Sequence, residues 1–321
     1  MTEQAGSIIG TIPQQASLAK EILRLKKEKN AVILAHYYVH SDIQELADFI
    51  GDSLALAQAS KKVKEDIIVF CGVHFMAETA KILNPSKKVL LPDLNAGCSL
   101  ADSADEEGFR KFKSEHPDAV VISYINCTAK VKAMSDYICT SSNAIDVVNA
   151  VPADREIIFA PDENLGKYVQ KMTGRKMHIW EGACIVHVNI SLDKLNGLLQ
   201  KYPDAELIAH PECLTEVLDK AHFIGSTKAL LEYVQTSGTS TFIVATEAGI
   251  LFKMREAVPH KKIIPAPAIE SNTCACSECP YMKMNTLEKL YRALIQESPQ
   301  INLDDATMNG ARRALDNMLN I

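Results

Sequence analysis

The sequence predicts an α/β protein made of three pseudo-symmetric repeats. Each is a small αβα layered domain on a parallel sheet. Two observations predict this. First, three segments align almost without gaps: Ala31-Val-Ile-Leu-Ala-His36, Ala119-Val-Val-Ile-Ser-Tyr124 and Ala205-Glu-Leu-Ile-Ala-His210, offset by 88 residues (36 to 124) and 86 residues (124 to 210). Second, within each copy short apolar runs alternate with amphipathic stretches, the pattern of βαβ units whose sheet is covered on both faces.

The first copy sets the element order. Val32–Ala35 reads as a buried strand. Ser41-Asp-Ile-Gln44 has capping-box form, with Ile43, Leu46, Ala47 and Ile50 following at helical spacing. A second strand at Phe49–Gly51 leads into a helix near Ser53, a third at Ile67–Phe70 into a helix ending before Pro85, and a fourth spans Lys88–Leu91. Later landmarks keep step. Phe49-Ile-Gly51 matches Tyr137-Ile-Cys139 and Phe223-Ile-Gly225; Ile68-Val-Phe70 matches Ile157-Ile-Phe159 and Ile243-Val-Ala245; Lys88, Lys176 and Lys262 open the fourth strands. The expected organisation is a helical extension over 1–30, repeats over 31–118, 119–204 and 205–285, and C-terminal helices over 286–321. The extension holds a helix near 16–29; the C-terminal part holds helices near 286–297 and 304–319.

Composition narrows the function. Over 321 residues, 47% apolar and 23% charged is close to an ordinary soluble globular protein, and the net charge of −6 argues against a nucleic-acid surface. No stretch approaches the roughly 20 apolar residues of a membrane span, and the first residues lack the pattern of a secretory signal, so the expectation is a cytoplasmic protein with neither membrane nor nucleic-acid partner. Neither a P-loop, a G-x-G-x-x-G nor a G-x-S-x-G element is present. The unusual feature is nine cysteines, at 71, 98, 127, 139, 184, 213, 274, 276 and 279. An odd count in a reducing compartment leaves buried hydrophobes or soft-metal ligands.

Ligands of open parallel sheets bind beyond the carboxyl ends of the strands. After strand one stand His36 and Tyr38, Tyr124 and Asn126, and His210 and Glu212. After strand two stand Ser53, Ser141, and the pair Ser226 and Thr227. After strand three stand His74, Asp162 with Asn164, and Thr246 with Glu247. After strand four stand Cys98, Cys184 with His187, and Cys274, Cys276 and Cys279. One thiolate from each repeat at a shared axis suits an iron–sulfur cluster or zinc, and three ligands rather than four leave one position for substrate. Ser53, Ser141, Ser226 and Thr227 fall at predicted helix N-termini, where free N–H groups favour anions, although plain capping explains each one singly. His36, His187, His210 and Glu212 are candidates for proton transfer or carboxylate binding, and Tyr124 with Asn126 for hydrogen bonds to a developing enolate. Cys71, Cys127, Cys139 and Cys213 read as core. His40, His116, His178, His222 and His260 read as surface or packing residues.

His36-Tyr-Tyr38, Tyr124-Ile-Asn126, Cys184-Ile-Val-His187, His210-Pro-Glu-Cys213, Val244-Ala-Thr-Glu247 and Cys279-Pro-Tyr-Met-Lys-Met-Asn285 together resemble the quinolinate synthase family over roughly residues 20 to 300. The resemblance implies three α/β domains around one four-iron four-sulfur cluster with three cysteine ligands and one open iron. It selects Cys98, Cys184 and Cys279 as those ligands. It implies condensation of iminoaspartate with dihydroxyacetone phosphate to quinolinate, losing phosphate and two waters, and transient contact with the enzyme that supplies iminoaspartate. Tyr124, His210 and Glu212 become the catalytic candidates. His36, Tyr38, Ser53, Asn126, Ser141, His187, Ser226 and Thr227 become candidates for binding substrate. The C-x-C-x-x-C run departs from family members with C-x-x-C-x-x-C or a single Cys, leaving the role of Cys274 and a Cys276–Cys279 disulfide open. Two alternatives stand beside this: another iron–sulfur hydro-lyase of small hydroxy acids, and a zinc or iron–sulfur sensor with exposed thiols near one end.

Overall fold

The computed structural model describes residues 15–269 and 277–321. Three four-stranded sheets account for all the strands among them, each with the spatial order 2-1-3-4 and every pairing parallel. Sheet one comprises β1 (Ala31–His36), β2 (Phe49–Gly51), β3 (Ile67–Cys71) and β4 (Lys88–Leu90). Sheet two comprises β5 (Val120–Tyr124), β6 (Tyr137–Cys139), β7 (Ile157–Ala160) and β8 (His178–Ile179). Sheet three comprises β9 (Glu206–Ala209), β10 (Phe223–Ile224), β11 (Thr241–Ala245) and β12 (Lys262–Pro265). The central strands are buried along their length, which is why they read as unbroken apolar runs rather than alternating ones.

Pairing register corrects one alignment. Leu34 lies opposite Phe70 and Ile122 opposite Phe159, but Ile208 lies opposite Val244. The third copy of strand three is therefore shifted by one: Val244, not Ala245, corresponds to Phe70. Each residue beyond β11 then stands one place further along the loop than the sequence alignment has it.

The first helix after β1 also differs from expectation. It is a single turn, Ser41–Gln44, preceded by His40 with no side-chain cap. Ser41 is inside the turn, and Ile50 belongs to β2. The capping-box pattern is not realised because the Gln44 amide instead donates to the carbonyls of Tyr37 (2.8 Å) and Val39 (3.0 Å). That side chain pins the loop carrying Tyr38.

The flanking helices fall where periodicity puts them, at Gln15–Glu28, Leu287–Gln296 and Asp305–Leu319. Leu18, Ile22 and Leu25 form the buried face of the first. The last packs on Ala129–Ala133 and β6 of the second sheet and on His74–Leu83 of the first, so it ties two sheets together. Gly310 makes this close approach: a Cβ there would stand 3.0 Å from Ala133 Cβ. Cys71, Cys127, Cys139 and Cys213 are fully buried core residues, as the apolar patterns require. Cys274 and Cys276 lie outside the described residues. Among the described residues no helix is long and apolar enough to cross a membrane.

Candidate active site

The carboxyl ends of all three sheets open onto one cavity of about 70 Å³. Its wall includes His36, Tyr38 and Ser53 from the first sheet, Tyr124, Asn126 and Ser141 from the second, and His210, Glu212 and Thr227 from the third. Cys98, Cys184, His187 and Cys279 complete it from beyond the fourth strands. Thirteen of the fourteen side chains singled out from sequence therefore share one space. Ser226 does not. It caps the helix Thr227–Thr236, accepting from the Ala229 amide at 3.3 Å, while its neighbour Thr227 turns inward. Ser53 opens the helix Ser53–Ser60, but Asp52 is its cap, accepting from Ala55 at 3.0 Å. Ser141 is not at a helix N-terminus: it lies in the turn ahead of Asn143, and the helix starts at Ala144.

Two hydrogen-bonded sets line the cavity. In one, the Tyr38 hydroxyl lies 2.7 Å from Thr227 Oγ1 and 3.0 Å from Thr246 Oγ1, and Thr246 Oγ1 lies 2.9 Å from His187 Nε2. A threonine from sheet three thus links a tyrosine of sheet one to a histidine of sheet two. Close backbone approach makes this reachable: a Cβ on Gly249 would stand 2.7 Å from Tyr38 Cα, so the turn after β11 admits only glycine there.

The second set centres on Glu212, which is 3% exposed. Its Oε2 accepts from the Tyr124 hydroxyl at 3.3 Å and lies 3.1 Å from His210 Nδ1. The Glu212 amide points at the same Nδ1 from 3.4 Å. The Ser141 hydroxyl lies 3.1 Å from the other ring nitrogen, Nε2. His187 stacks on His210 with ring centroids 4.8 Å apart, and its Nδ1 stands 3.5 Å from Glu212 Oε2, too far for a good hydrogen bond.

Burial decides the charge states. It pushes His36 down to about 3 and His187 down to about 4, so both imidazoles are neutral at pH 7. Burial, reinforced by the Glu212 charge, raises the Tyr124 hydroxyl and the Asp162 carboxyl well above their ordinary values. For Glu212 burial also opposes the charge, but His187, His210 and the Tyr124 hydroxyl outweigh it and hold the carboxyl below its ordinary value. The set is therefore one carboxylate surrounded by groups that keep their protons or stay neutral.

The donor chemistry of the cavity fits a soft-metal group. Cys98, Cys184 and Cys279 are unpaired thiols from three different strand ends. Facing an enclosed space, they are resisted as thiolates: burial pushes Cys98 up to about 12 and Cys279 up to about 11. A bound cation removes that penalty, whereas three bare thiolates together would be costly. Donor atoms of Cys184, His187 and Glu212 also lie within 4.8 Å of one another. Asn126 Oδ1, His187 Nδ1 and Glu212 Oε1 are buried without a hydrogen-bond partner, the condition of atoms awaiting a ligand. A sensor with exposed thiols at one end is not this arrangement.

Asp52 and Thr140, which the sequence reading does not single out, also line the cavity, and Thr246 joins its hydrogen-bonded wall. Glu247, fully buried, accepts from the Cys279 amide at 3.0 Å and the Gly249 amide at 2.6 Å, with Lys283 at 3.7 Å. Thr246 and Glu247 stand at the strand end the sequence reading names and within the Val244-Ala-Thr-Glu247 motif, but neither the position nor the motif gives them a role.

The fold and the cavity define an α/β enzyme whose three sheets converge on an internal thiol-bearing site. The family model described as "NadA: Quinolinate synthetase A protein" matches residues 20–320. A quinolinate synthase of Rippkaea orientalis (strain PCC 8801 / RF-1) is 59% identical over 298 residues, covering 93% of this chain and 91% of its own length. One of Nostoc punctiforme (strain ATCC 29133 / PCC 73102) is 56% identical over 319 residues, covering 99% and 97%. One of Trichodesmium erythraeum (strain IMS101) is 57% identical over 304 residues, covering 95% and 94%. The chain belongs to the quinolinate synthase A family, iron–sulfur enzymes of de novo NAD biosynthesis.

Proposed function

We propose that the cavity condenses iminoaspartate with dihydroxyacetone phosphate, forming quinolinate, phosphate and two waters. The observation that carries this is the meeting of three thiols, one from beyond the fourth strand of each sheet, with the Tyr124–Glu212–His210 set in one space. In this reading Cys98, Cys184 and Cys279 hold one four-iron four-sulfur cluster with an iron left open. When bound, that cluster supplies a Lewis acid to a substrate oxygen.

The chain's own residues do the rest. Ser53 and Thr227 open helices of 8 and 10 residues, whose free N–H groups suit a phosphate or carboxylate. His36, buried and neutral, lines the same cavity. Tyr38 is oriented by Thr227 and Thr246, and Asn126 adds an amide. Tyr124 takes a proton from substrate as its own hydroxyl proton passes to the Glu212 carboxylate, and the reverse relay returns it; His210, backed by Ser141, positions Glu212. His187 closes the wall between Thr246 and Glu212. Ser226 supports the site only through its helix. Iminoaspartate is a hydrolysable imine, so transient contact with the enzyme that makes it belongs to the same proposal.

Anaerobic purification followed by iron and sulfide analysis, then a quinolinate assay with both substrates, tests this. Close to four irons per chain, lost in Cys98→Ala, and quinolinate only when both substrates are present are the expected results. Zinc in the thiol site without iron, or a full cluster in Cys98→Ala, would overturn it.

A further inference from the structure

A second group of metal-ligating side chains lies at the opposite end of sheet two from the cavity. His116 follows the helix Glu106–Glu115 just ahead of β5, Glu156 directly precedes β7, and His178 opens β8. All three are at amino ends of strands, whereas the cavity gathers the carboxyl ends. Their donor atoms lie within 4.8 Å of one another. The two imidazoles stack with centroids 3.6 Å apart and planes 20° from parallel, and His178 Nε2 is 3.2 Å from Glu156 Oε2.

Each donor is positioned by its own surroundings. The edge-to-face contact of Phe112 at 5.6 Å steadies the His116 ring, and the His116 amide closes the helix end on Lys113. His178 is fixed by pairing with Ile158. Backbone of Glu156 accepts from Val120 at 2.8 Å, while its carboxylate stays exposed. Two ligands of a zinc-sized ion, each about 2.1 Å from it, stand at most about 4.2 Å apart. Imidazole lone pairs lie in the ring plane, so binding requires the two rings to turn out of their stack; His178 at 38% and Glu156 at 66% exposure have room to turn towards a shared ion.

We infer that His116, Glu156 and His178 form a surface site for one divalent transition metal of the zinc class. Two imidazoles and a carboxylate select borderline metals over magnesium or calcium, and three protein ligands leave a position for water. Occupancy would cross-link the three segments that enter β5, β7 and β8. The site is separate from the thiol cavity, so a zinc atom found in purified protein need not sit among the cysteines.

The test is equilibrium dialysis of the anaerobically prepared, cluster-loaded protein against buffered Zn2+, with zinc, iron and sulfide counted on the same samples. One zinc per chain beyond the iron is expected. His178→Ala and His116→Ala should each weaken that uptake at least tenfold, and Glu156→Gln severalfold, with iron and sulfide unchanged. Excess Mg2+ should not displace the zinc. Equal zinc uptake by wild type and His178→Ala, no uptake by wild type, or displacement by Mg2+ would each overturn the inference. Glu156 is a surface residue, so its variant reports on binding even where a histidine variant is poorly folded. The iron count separately shows whether the thiol centre is as proposed.

Discussion

The Thr246 hydroxyl lies 2.9 Å from His187 Nε2, and the same oxygen is 3.0 Å from the Tyr38 hydroxyl. With His187 neutral, one consistent set of donors runs from Thr227 to Tyr38 to Thr246 to His187 Nε2, each hydroxyl accepting one bond and donating the next. Replacing Thr246 with Val keeps the shape and removes both bonds. Two buried polar groups then lose a partner, a cost of about 1–3 kcal/mol each. Turnover should fall on the order of tenfold to a hundredfold through misplacement of Tyr38. Thr246→Ser should recover most of it, and iron per chain should be unchanged in both variants. Loss of activity in Thr246→Ser equal to that in Thr246→Val would show that only the methyl group's packing matters.

Neighbouring hydroxyls at the start of one helix should behave oppositely. Ser226 bonds its own helix backbone, whereas Thr227 bonds Tyr38. Ser226→Ala removes a cap and should lower stability by about 1 kcal/mol while leaving kcat within about twofold. Thr227→Val should lower kcat/KM by at least tenfold with a smaller effect on melting. Urea unfolding and steady-state kinetics on the same two variants decide it. A Ser226→Ala enzyme as impaired as Thr227→Val would return Ser226 to the site.

How far the sequence reaches is visible in that pair. The threefold register, the strand ends and the conserved spacing of apolar runs within the chain were enough to bring His36, Tyr124, His210, Cys98 and Cys184 to one place. Strand-end position says which loop a residue occupies, but one step along a helix start turns a side chain by about 100°. Ser226 and Thr227 are separated by that turn. Thr246 is named at its strand end, but its exact place in the loop is not. The one-residue shift of β11 against β9 is invisible to an alignment of apolar runs, because Phe242, Ile243 and Val244 are all apolar. Choosing Cys279 among three cysteines rested on family resemblance, and spacing alone left it open.

An acid-side effect on stability is expected far from the site. The Glu297 carboxylate lies 2.5 Å from Lys88 Nζ and 2.9 Å from Lys29 Nζ. Hydrogen bonds from Lys88 and then Lys29 pull its carboxyl down to about 2 from an ordinary value of 4.5. A folded value below the unfolded one means the contribution is complete above about pH 4.5 and disappears as pH falls towards 2. Glu297→Gln should therefore be less stable than wild type at pH 7, and the gap should narrow at pH 4 and again at pH 3. Urea midpoints measured for both proteins at each pH check this. A gap of the same size at pH 3 would mean that the ion pairs contribute nothing and packing accounts for the difference.

The Tyr124–Glu212 pair offers the sharpest test of how the cavity moves protons. Tyr124 donates to Glu212 Oε2 at 3.3 Å, and burial with the Glu212 charge keeps the phenol protonated at any working pH. Alone, such a phenol is a poor acid. It becomes useful only if a neighbour receives its proton as it takes another from substrate. If the two act as one unit, removing either removes the function of both. Tyr124→Phe and Glu212→Gln should each reduce kcat by about a hundredfold or more, within the usual range for a general acid–base group. The double variant should then lose little beyond the worse single one. Independent roles predict instead that the two losses multiply. Iron and sulfide content must match wild type in all three proteins, so that a lost cluster is not mistaken for a lost proton donor. Multiplying losses at constant iron would separate Tyr124 from Glu212 and assign the proton transfer to His210 with Glu212 alone.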